Sequence, residues 1–449
     1  MKTASEQLAE WVVNLELAEI PSEYVQAAKY NVLDMIGCGL FGSTLPWART
    51  LAKLLKEWGG REEATLWGHG VKLPCVNAVF ANTNATNSFE FDDTYFPTGI
   101  HPGALVVSSA LAAAEYIGGV SGTQFLEAVV AGQEVSIRIR NGLGWSVLHG
   151  WNGTAICSTF GAAAASAKIL GLSSDQTTNA IGITGPYVGG LLTFGFKAIA
   201  KRLVNARAAQ GGIMAAFLAR NGVTGYRDIL ESKQGGFCTA HSSDPQIDKI
   251  TESLGLVYEM QKMALKKYPN CTSFHAVIDA LSDITDTNDI AAESVETVFV
   301  NTTRGAQKND VGMTYDNIHS AQMSLPYAIA VKLKDGVVGI EQFSNKKIDD
   351  ERIRKIAERV DIVIDPDLDD LGLDHRLAAR VEIKMKNGQR FESGIVRNPR
   401  RMSIEETRAK FKNLASRVAS KDTVDEISSF VESITNCDDV SLLAELLAI

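Results

Sequence analysis

A change of pattern near Lys266 constrains the fold of this chain more than any other feature. Before it, apolar residues recur at three- and four-residue spacing in one segment after another, as amphipathic helices require. The spacing predicts helices over residues 22–39, 75–90, 104–116, 123–141, 154–170, 174–188, 206–221 and 225–231, with glycines as punctuation and a turn at 70–74. Pro102 is expected at the first helical position of its segment, where its missing N–H is no loss. Alanine-rich runs such as residues 161–167 favour helices that pack closely.

After Lys266 the pattern alternates and is rich in β-branched residues. Strands are expected over residues 294–303, 360–364 and 379–385, and Asn387-Gly388 signals a hairpin into a further strand at 390–396. Helices are interspersed at 274–282 and 321–334. After Arg401 helices return, and Ser403 with Glu406, then Thr423 with Glu426, have capping-box spacing. The expected fold is mainly α with an α+β part. Both chain ends, residues 1–265 and 401–449, form a large all-helical domain, and residues 266–400 form a smaller inserted α+β domain. A cleft between two such domains is a usual place for a small-molecule site.

At 449 residues, with 45% apolar and 22% charged residues, the chain has ample material for two or three domains. No apolar run is long enough to span a bilayer, and the N-terminus reads as an amphipathic helix and not as a signal sequence. The net charge of −9 argues against nucleic acid as a partner and leaves room for a small anionic substrate held by a local cationic cluster. Six scattered cysteines with no CxxC pair argue against a disulfide framework or a structural zinc site, and point to a reducing cytoplasm.

Three segments offer chemistry. Glu90, Asp92, Asp93, Thr94 and His101 crowd a short loop between two apolar helices. The helix after His101 would direct its free N–H groups at any carboxylate there. Lys197 and Lys201 stand four apart with Arg202 and Arg207 beyond, a basic knot that suits an anion. Lys266, Tyr268, Cys271 and His275 offer an amine, a phenol, a thiol and an imidazole at the hand-over between the two parts. Packing, capping and solvated helix ends are the plain alternatives for all three. The acidic residues Asp365, Asp367, Asp369, Asp370 and Asp374 do not make a calcium loop, because Asp370 stands where glycine is needed and Arg376 where glutamate is needed. No HExxH, GxSxG or nucleotide-binding glycine motif occurs, so no metal or cofactor is expected.

Five ordered blocks carry a resemblance: FDDTYFPTGIHPGALVVSSALAAAE from Phe91, FGAAAASAKILGL from Phe160, KRLVNARAAQGGIMAAFLARNGVTG from Lys201, LKKYPNCTSFHAVIDA from Leu265 and SLPYAIAV from Ser324. They resemble the MmgE/PrpD family, which includes 2-methylcitrate dehydratase, cis-aconitate decarboxylase and iminodisuccinate epimerase. The resemblance implies a homodimer of subunits with a helical domain and an α+β lid. It implies that Asp93, Thr94 and His101 line the site, and that Lys201 and Lys266 bind substrate carboxylates or stabilise developing negative charge. Tyr327 is a further carry-over. The chain departs from the decarboxylases in carrying Glu90 for their Asp, and Asn152 and Cys271 for their histidines. Its spacing from Thr94 to His101 is one residue longer.

The chemistry implied is a carbanion formed beside a carboxylate, with His101 as general acid/base and Asp93 orienting it or sharing its proton. A lyase is expected, a dehydratase ahead of a decarboxylase. The runner-up is an epimerase using Lys266, Tyr268 or Cys271 on the second face. A member altered to bind a ligand without turnover is the reading from another class.

Overall fold

The computed structural model of the protein describes residues 2–145, 150–192, 198–372 and 375–449. Its first half is a stack of helices: α1 (Ala4–Asn14), α2 (Ser22–Ser43), α3 (Pro46–Trp58), α4 (Cys75–Thr86), α5 (Gly103–Ile117), α6 (Gly122–Gly142), α7 (Gly153–Ile169), α8 (Ser174–Thr184), α9 (Lys201–Arg220) and the short α10 (Phe237–His241). Small residues set how closely they cross. A Cβ on Gly161 of α7 would lie 2.4 Å from the carbonyl oxygen of Gly132 in α6, and one on Gly212 of α9 would lie 2.5 Å from that of Thr159 in α7. The backbones touch there, so α6, α7 and α9 stack without room for a larger side chain. The alanine and glycine content of the first half thus becomes close helix packing.

Two short antiparallel ladders, absent from the sequence reading, interrupt the helices. The first pairs β1 (Ala64–Leu66) with β2 (Val71–Leu73), where only a turn was expected. The second pairs β3 (Asp93–Tyr95) with β4 (Met263–Leu265), setting Asp93 opposite Leu265 and Thr94 opposite Ala264. Three-residue strands carry too little alternation to stand out from a helical background.

The second half contains a four-stranded mixed sheet of β5 (Val295–Thr302), β6 (Val360–Ile364), β7 (Ala379–Met385) and β8 (Arg390–Glu392), in the order β6-β5-β7-β8. The β5–β6 pair is parallel and the others are antiparallel. Along β7, Ala379, Val381, Ile383 and Met385 are buried in strict alternation. The helices of this half are α11 (His275–Thr285), α12 (Arg304–Gln307), α13 (Ile318–Gln322), α14 (Leu325–Asp335), α15 (Asn345–Ile348), α16 (Glu351–Ala357) and α17 (Pro366–Asp369). The chain then returns to the first half through α18 (Ile404–Ala415), α19 (Lys421–Glu432) and α20 (Ser441–Leu446). Leu8 near the N-terminus and Leu447 near the C-terminus belong to one apolar core; the sheet and its helices build a second. The fold is mainly α with an α+β part.

Several boundaries differ from expectation for identifiable reasons. Residues 225–231 form turns and not a helix, because a Cβ on Gly225 would sit 2.4 Å from the carbonyl oxygen of Asn179, a backbone contact that pins the segment to α8. The predicted 321–334 helix breaks into α13 and α14 at Ser324, whose side chain accepts the N–H of Tyr327 while Pro326 begins the new helix. Pro102 lies just outside α5 as its cap. The Ser403–Glu406 capping box forms. Thr423 does not begin a box: Ser420 caps α19 and Thr423 lies inside it. Strand β8 ends at Glu392, and only an isolated bridge from Val396 to Ala379 continues it. Among the described residues no helix is long and apolar enough to cross a membrane.

Candidate active site

The β3–β4 ladder builds the site by laying the 90–101 loop beside Lys266, whose N–H reaches the carbonyl oxygen of Asp92. Helix α4 stops at Thr86, and the chain turns so sharply that Glu90 takes a left-handed backbone with φ 55°. Such a conformation in a non-glycine residue is strained and persists only where the surroundings over-determine it. The surroundings here are three cations. The buried Glu90 carboxylate accepts from Lys201, from Arg202 at 2.6 Å and from Lys266 at 3.2 Å. Lys266 also reaches Asp92 at 3.3 Å. Arg202 is fixed further by the Asn87 carbonyl oxygen, by Gln322 Oε1 at 3.0 Å and by His319 Nδ1 at 3.1 Å.

This network fixes the charges. Burial opposes ionisation of Glu90, but Lys201, Lys266 and Arg202 outweigh it and hold its carboxyl well below the usual range. Burial likewise opposes the Lys266 ammonium, and Asp92 and Glu90 hold it above its ordinary value. Lys201 goes the other way: burial lowers it despite the pull of Glu90. Lys201 is thus the most readily deprotonated ammonium of the pair.

His101 sits on the wall of the neighbouring cavity. Its backbone N–H donates to Thr154 Oγ1 at 3.1 Å, and its Nδ1 lies 2.5 Å from the carbonyl oxygen of Asp93. A carbonyl can only accept, so Nδ1 carries the proton and Nε2 keeps the lone pair. Burial, and then Lys266, pushes the imidazole down to about 4, so it is neutral at physiological pH. Asp93 orients His101 through its backbone and not through its carboxylate, which corrects the sequence expectation. The carboxylate turns away to accept from Gly103 N–H at 2.9 Å and Asn31 at 3.2 Å. Burial and then Asp92 push it up to about 8.

The cavity, of about 340 Å³, lies between the helical half and the α+β half. Glu90, His101, Asn152, Lys201 and Cys271 reach its wall. Asn152 also caps α7, accepting the N–H of Ala155 at 3.1 Å. Cys271 presents a thiol that burial pushes above its usual range, so it stays protonated. Asp93, Thr94 and Lys266 stand one layer behind the wall. Tyr268 and Tyr327 lie elsewhere: Tyr268 donates to Asp279 at 2.9 Å, and Tyr327 is fully buried in the second core and donates to the Gln342 carbonyl oxygen at 2.5 Å. The aromatic packing of Tyr268 on His275 matches the plain alternative for that segment. Lys197, expected beside Lys201, and Asp374 lie outside the described residues.

Several wall residues were missed in the sequence, among them Lys308 and two arginines. Arg140, near the end of α6, and Arg376, beyond the acidic turn, both face the cavity. A single arginine in a helical segment, or one following a run of aspartates, carries no local sign that the fold will turn it inward. Among the described residues, no three His, Cys, Asp or Glu side chains converge as a metal site would require.

Comparison with known proteins identifies the family. Residues 6–249 match the MmgE/PrpD N-terminal domain and residues 268–436 the MmgE/PrpD C-terminal domain. The second match continues past residue 400 into α18 and α19, which pack on α2 of the first. The cis-aconitate decarboxylase-like protein oryM of Aspergillus oryzae is 28% identical, over 98% of this chain and 96% of its own. The cis-aconitate decarboxylase of Aspergillus terreus is 25% identical over 98% of this chain and 95% of its own. That of Homo sapiens is 26% identical over 100% and 95%.

Proposed function

The chain belongs to the MmgE/PrpD family, and from that premise we propose that it is a lyase acting on a small polycarboxylate by removing a proton beside a carboxylate. The observation that carries this reading is a neutral imidazole on a cavity wall that also presents Lys201, Arg140 and Arg376. A proton beside a carboxylate is weakly acidic. Its removal requires a base that is free at working pH and fixed positive charge where the enolate-like anion develops.

In the step proposed, Nε2 of His101 takes the proton, and the electron pair of the C–H bond moves toward the carboxylate. Hydroxide then leaves the adjacent carbon with a proton from the Lys201 ammonium, giving an alkene and water. The imidazolium afterwards restores the proton to Lys201 through water. A lowered Lys201 is a better donor than an ordinary lysine, and a neutral His101 takes a proton before it can give one. Both properties suit elimination, which begins with proton removal, and support the dehydratase as the first reading.

The names of the relatives favour a second reading, decarboxylation. There a carbon–carbon bond breaks, carbon dioxide departs without its electron pair, and Lys201 protonates the carbanion left behind. Asn152 and Cys271, in place of the decarboxylases' imidazoles, weigh against it. An epimerase needs a second group on the far face. Lys266 is engaged with Glu90 and Asp92, and Tyr268 with Asp279, which leaves only the protonated Cys271. A homodimer and a cytoplasmic location belong to the same proposal, the first from the family and the second from the unpaired cysteines.

Incubation with 2-methylcitrate, cis-aconitate and iminodisuccinate, with products separated by chromatography, tests the reading. Alkene and water from a hydroxy acid supports the dehydratase, and carbon dioxide release the decarboxylase. Binding without turnover of any of the three would contradict the lyase.

A further inference from the structure

Buried guanidinium groups are ordinarily paired with carboxylates, because an unpaired charge away from water is costly. Arg140, which is buried, and Arg376, which is half-buried, break that pattern. Arg140 is 8% exposed and donates from Nη1 to the carbonyl oxygen of Gly144 at 2.9 Å. Arg376 donates from Nε to the carbonyl oxygen of Phe96 at 3.1 Å. Among the described residues neither has a carboxylate partner. Both line the same cavity, and burial together with the charge of Arg140 lowers Arg376 to about 10 against the pull of Cys271.

The backbone makes room for Arg376 and sets Arg140 in ordinary contact with position 153. Gly99, at φ 71°, would place a Cβ 3.0 Å from Nη2 of Arg376, and Gly153 would place one 3.8 Å from Nε of Arg140. Any other residue at position 99 would be strained and would crowd the guanidinium. The two glycines flank His101 and its loop on the cavity wall. On the same cavity wall, Lys201 is already ion-paired with Glu90. The cations expected from sequence to hold the substrate are therefore committed to protein carboxylates, while the two missed arginines are not.

We propose that Arg140 and Arg376 form the anion subsite of the cavity, a paired guanidinium clamp that holds a substrate carboxylate and so selects substrates with at least two. The planar guanidinium fork matches a carboxylate with two parallel hydrogen bonds, which an ammonium cannot do. This clamp rests on the polycarboxylate reading for its ligand and on the two unpaired guanidiniums for its location. Its role is to fix the substrate while His101 acts on a different carbon.

The test is calorimetric titration of tricarballylate, succinate and inorganic phosphate into the full chain and into Arg376→Gln, Arg140→Gln, Arg376→Lys and His101→Gln. Tricarballylate affinity should fall about ten- to hundredfold in each arginine-to-glutamine variant, as loss of a charged hydrogen-bond donor predicts, and should survive in His101→Gln. Thermal melting shows whether each variant folds. Should the glutamine variants fail to fold, Arg376→Lys keeps the charge but not the fork, and should still lose affinity. Wild-type affinity in folded arginine variants, or unaltered turnover of a polycarboxylate by them, would overturn the clamp and leave the lyase reading standing. Phosphate binding that is lost in the same variants, with no polycarboxylate bound or turned over, would keep the clamp and remove the polycarboxylate reading.

Discussion

Nδ1 of His101 lies 2.5 Å from the backbone carbonyl oxygen of Asp93, and this contact sets the protonation of the ring. It leaves Nε2 as a lone pair on the cavity wall. Replacing His101 by Gln should lower kcat by about a hundred- to ten-thousandfold, the usual worth of a general base, with ligand affinity retained. Because burial and Lys266 hold the imidazole at about 4, kcat/KM should show no acid limb near pH 6.5 and should fall only as pH drops toward 4. Initial rates from pH 3.5 to 8 check this. A limb centred near the ordinary histidine value would contradict it.

Asp93 makes a prediction about stability whose sign follows from its shift. Its carboxyl is raised to about 8 in the folded chain, whereas an unfolded aspartate ionises near about 4. Between those values the folded state holds the extra proton. The contribution is complete below the unfolded value and is lost as pH rises through the folded one. Asn imitates the neutral acid, so Asp93→Asn should be more stable than the parent at pH 9 and little different at pH 4. Urea unfolding at both pH values measures this, and a pH-independent difference would count against it.

Glu90 holds Lys201, Arg202 and Lys266 together. Glu90→Gln keeps the shape and removes the counter-charge, leaving buried cations facing one another. Loss of one partner from a buried ionic cluster costs about 3–5 kcal/mol. Denaturant midpoints should shift accordingly, and a shift of less than about 1 kcal/mol would be at odds with a desolvated cluster.

Lys410 ties the C-terminal helices to the site. From α18 its ammonium reaches Asp34 at 2.8 Å, the Phe91 carbonyl oxygen at 2.5 Å and the Lys266 carbonyl oxygen at 3.0 Å. It thereby joins both segments that carry the charge network. Lys410→Met should reduce kcat more than it raises KM, since it loosens the placement of Lys266 and of the 90–93 turn without touching the cavity. Adding Asp34→Asn should recover part of the lost stability, because the two groups are directly coupled. A double-variant loss equal to the sum of the two single losses would show that the pair is not coupled.

The helical half and the alternating strands were legible in the sequence because each carries a period over many residues. Along β7, for example, the predicted and observed limits coincide. The site was legible in part. Glu90, His101, Lys201 and Cys271 reach the cavity, and their segments could be picked out as clustered polar residues. What sequence could not supply was direction. Nothing local distinguishes an Asp93 that orients His101 by its carboxylate from one that does so by its carbonyl. The β3–β4 ladder, which brings Lys266 to Asp92 across more than half the helical bundle, is only three residues wide. Arg140 and Arg376 are far apart in the chain and only the fold brings both to one cavity. Tyr268 and Tyr327 show the converse, in that a reactive side-chain type near a site segment can simply complete a core.

In the mechanism proposed, His101 removes a proton beside a carboxylate of a polycarboxylate. Proton NMR in D2O tests it most directly, with 2-methylcitrate, cis-aconitate and iminodisuccinate incubated with the wild-type chain and with His101→Gln. Enzyme-dependent deuterium uptake or alkene formation is expected on at least one of them, abolished in the variant. No exchange on any, or exchange that persists unchanged without His101, would contradict it.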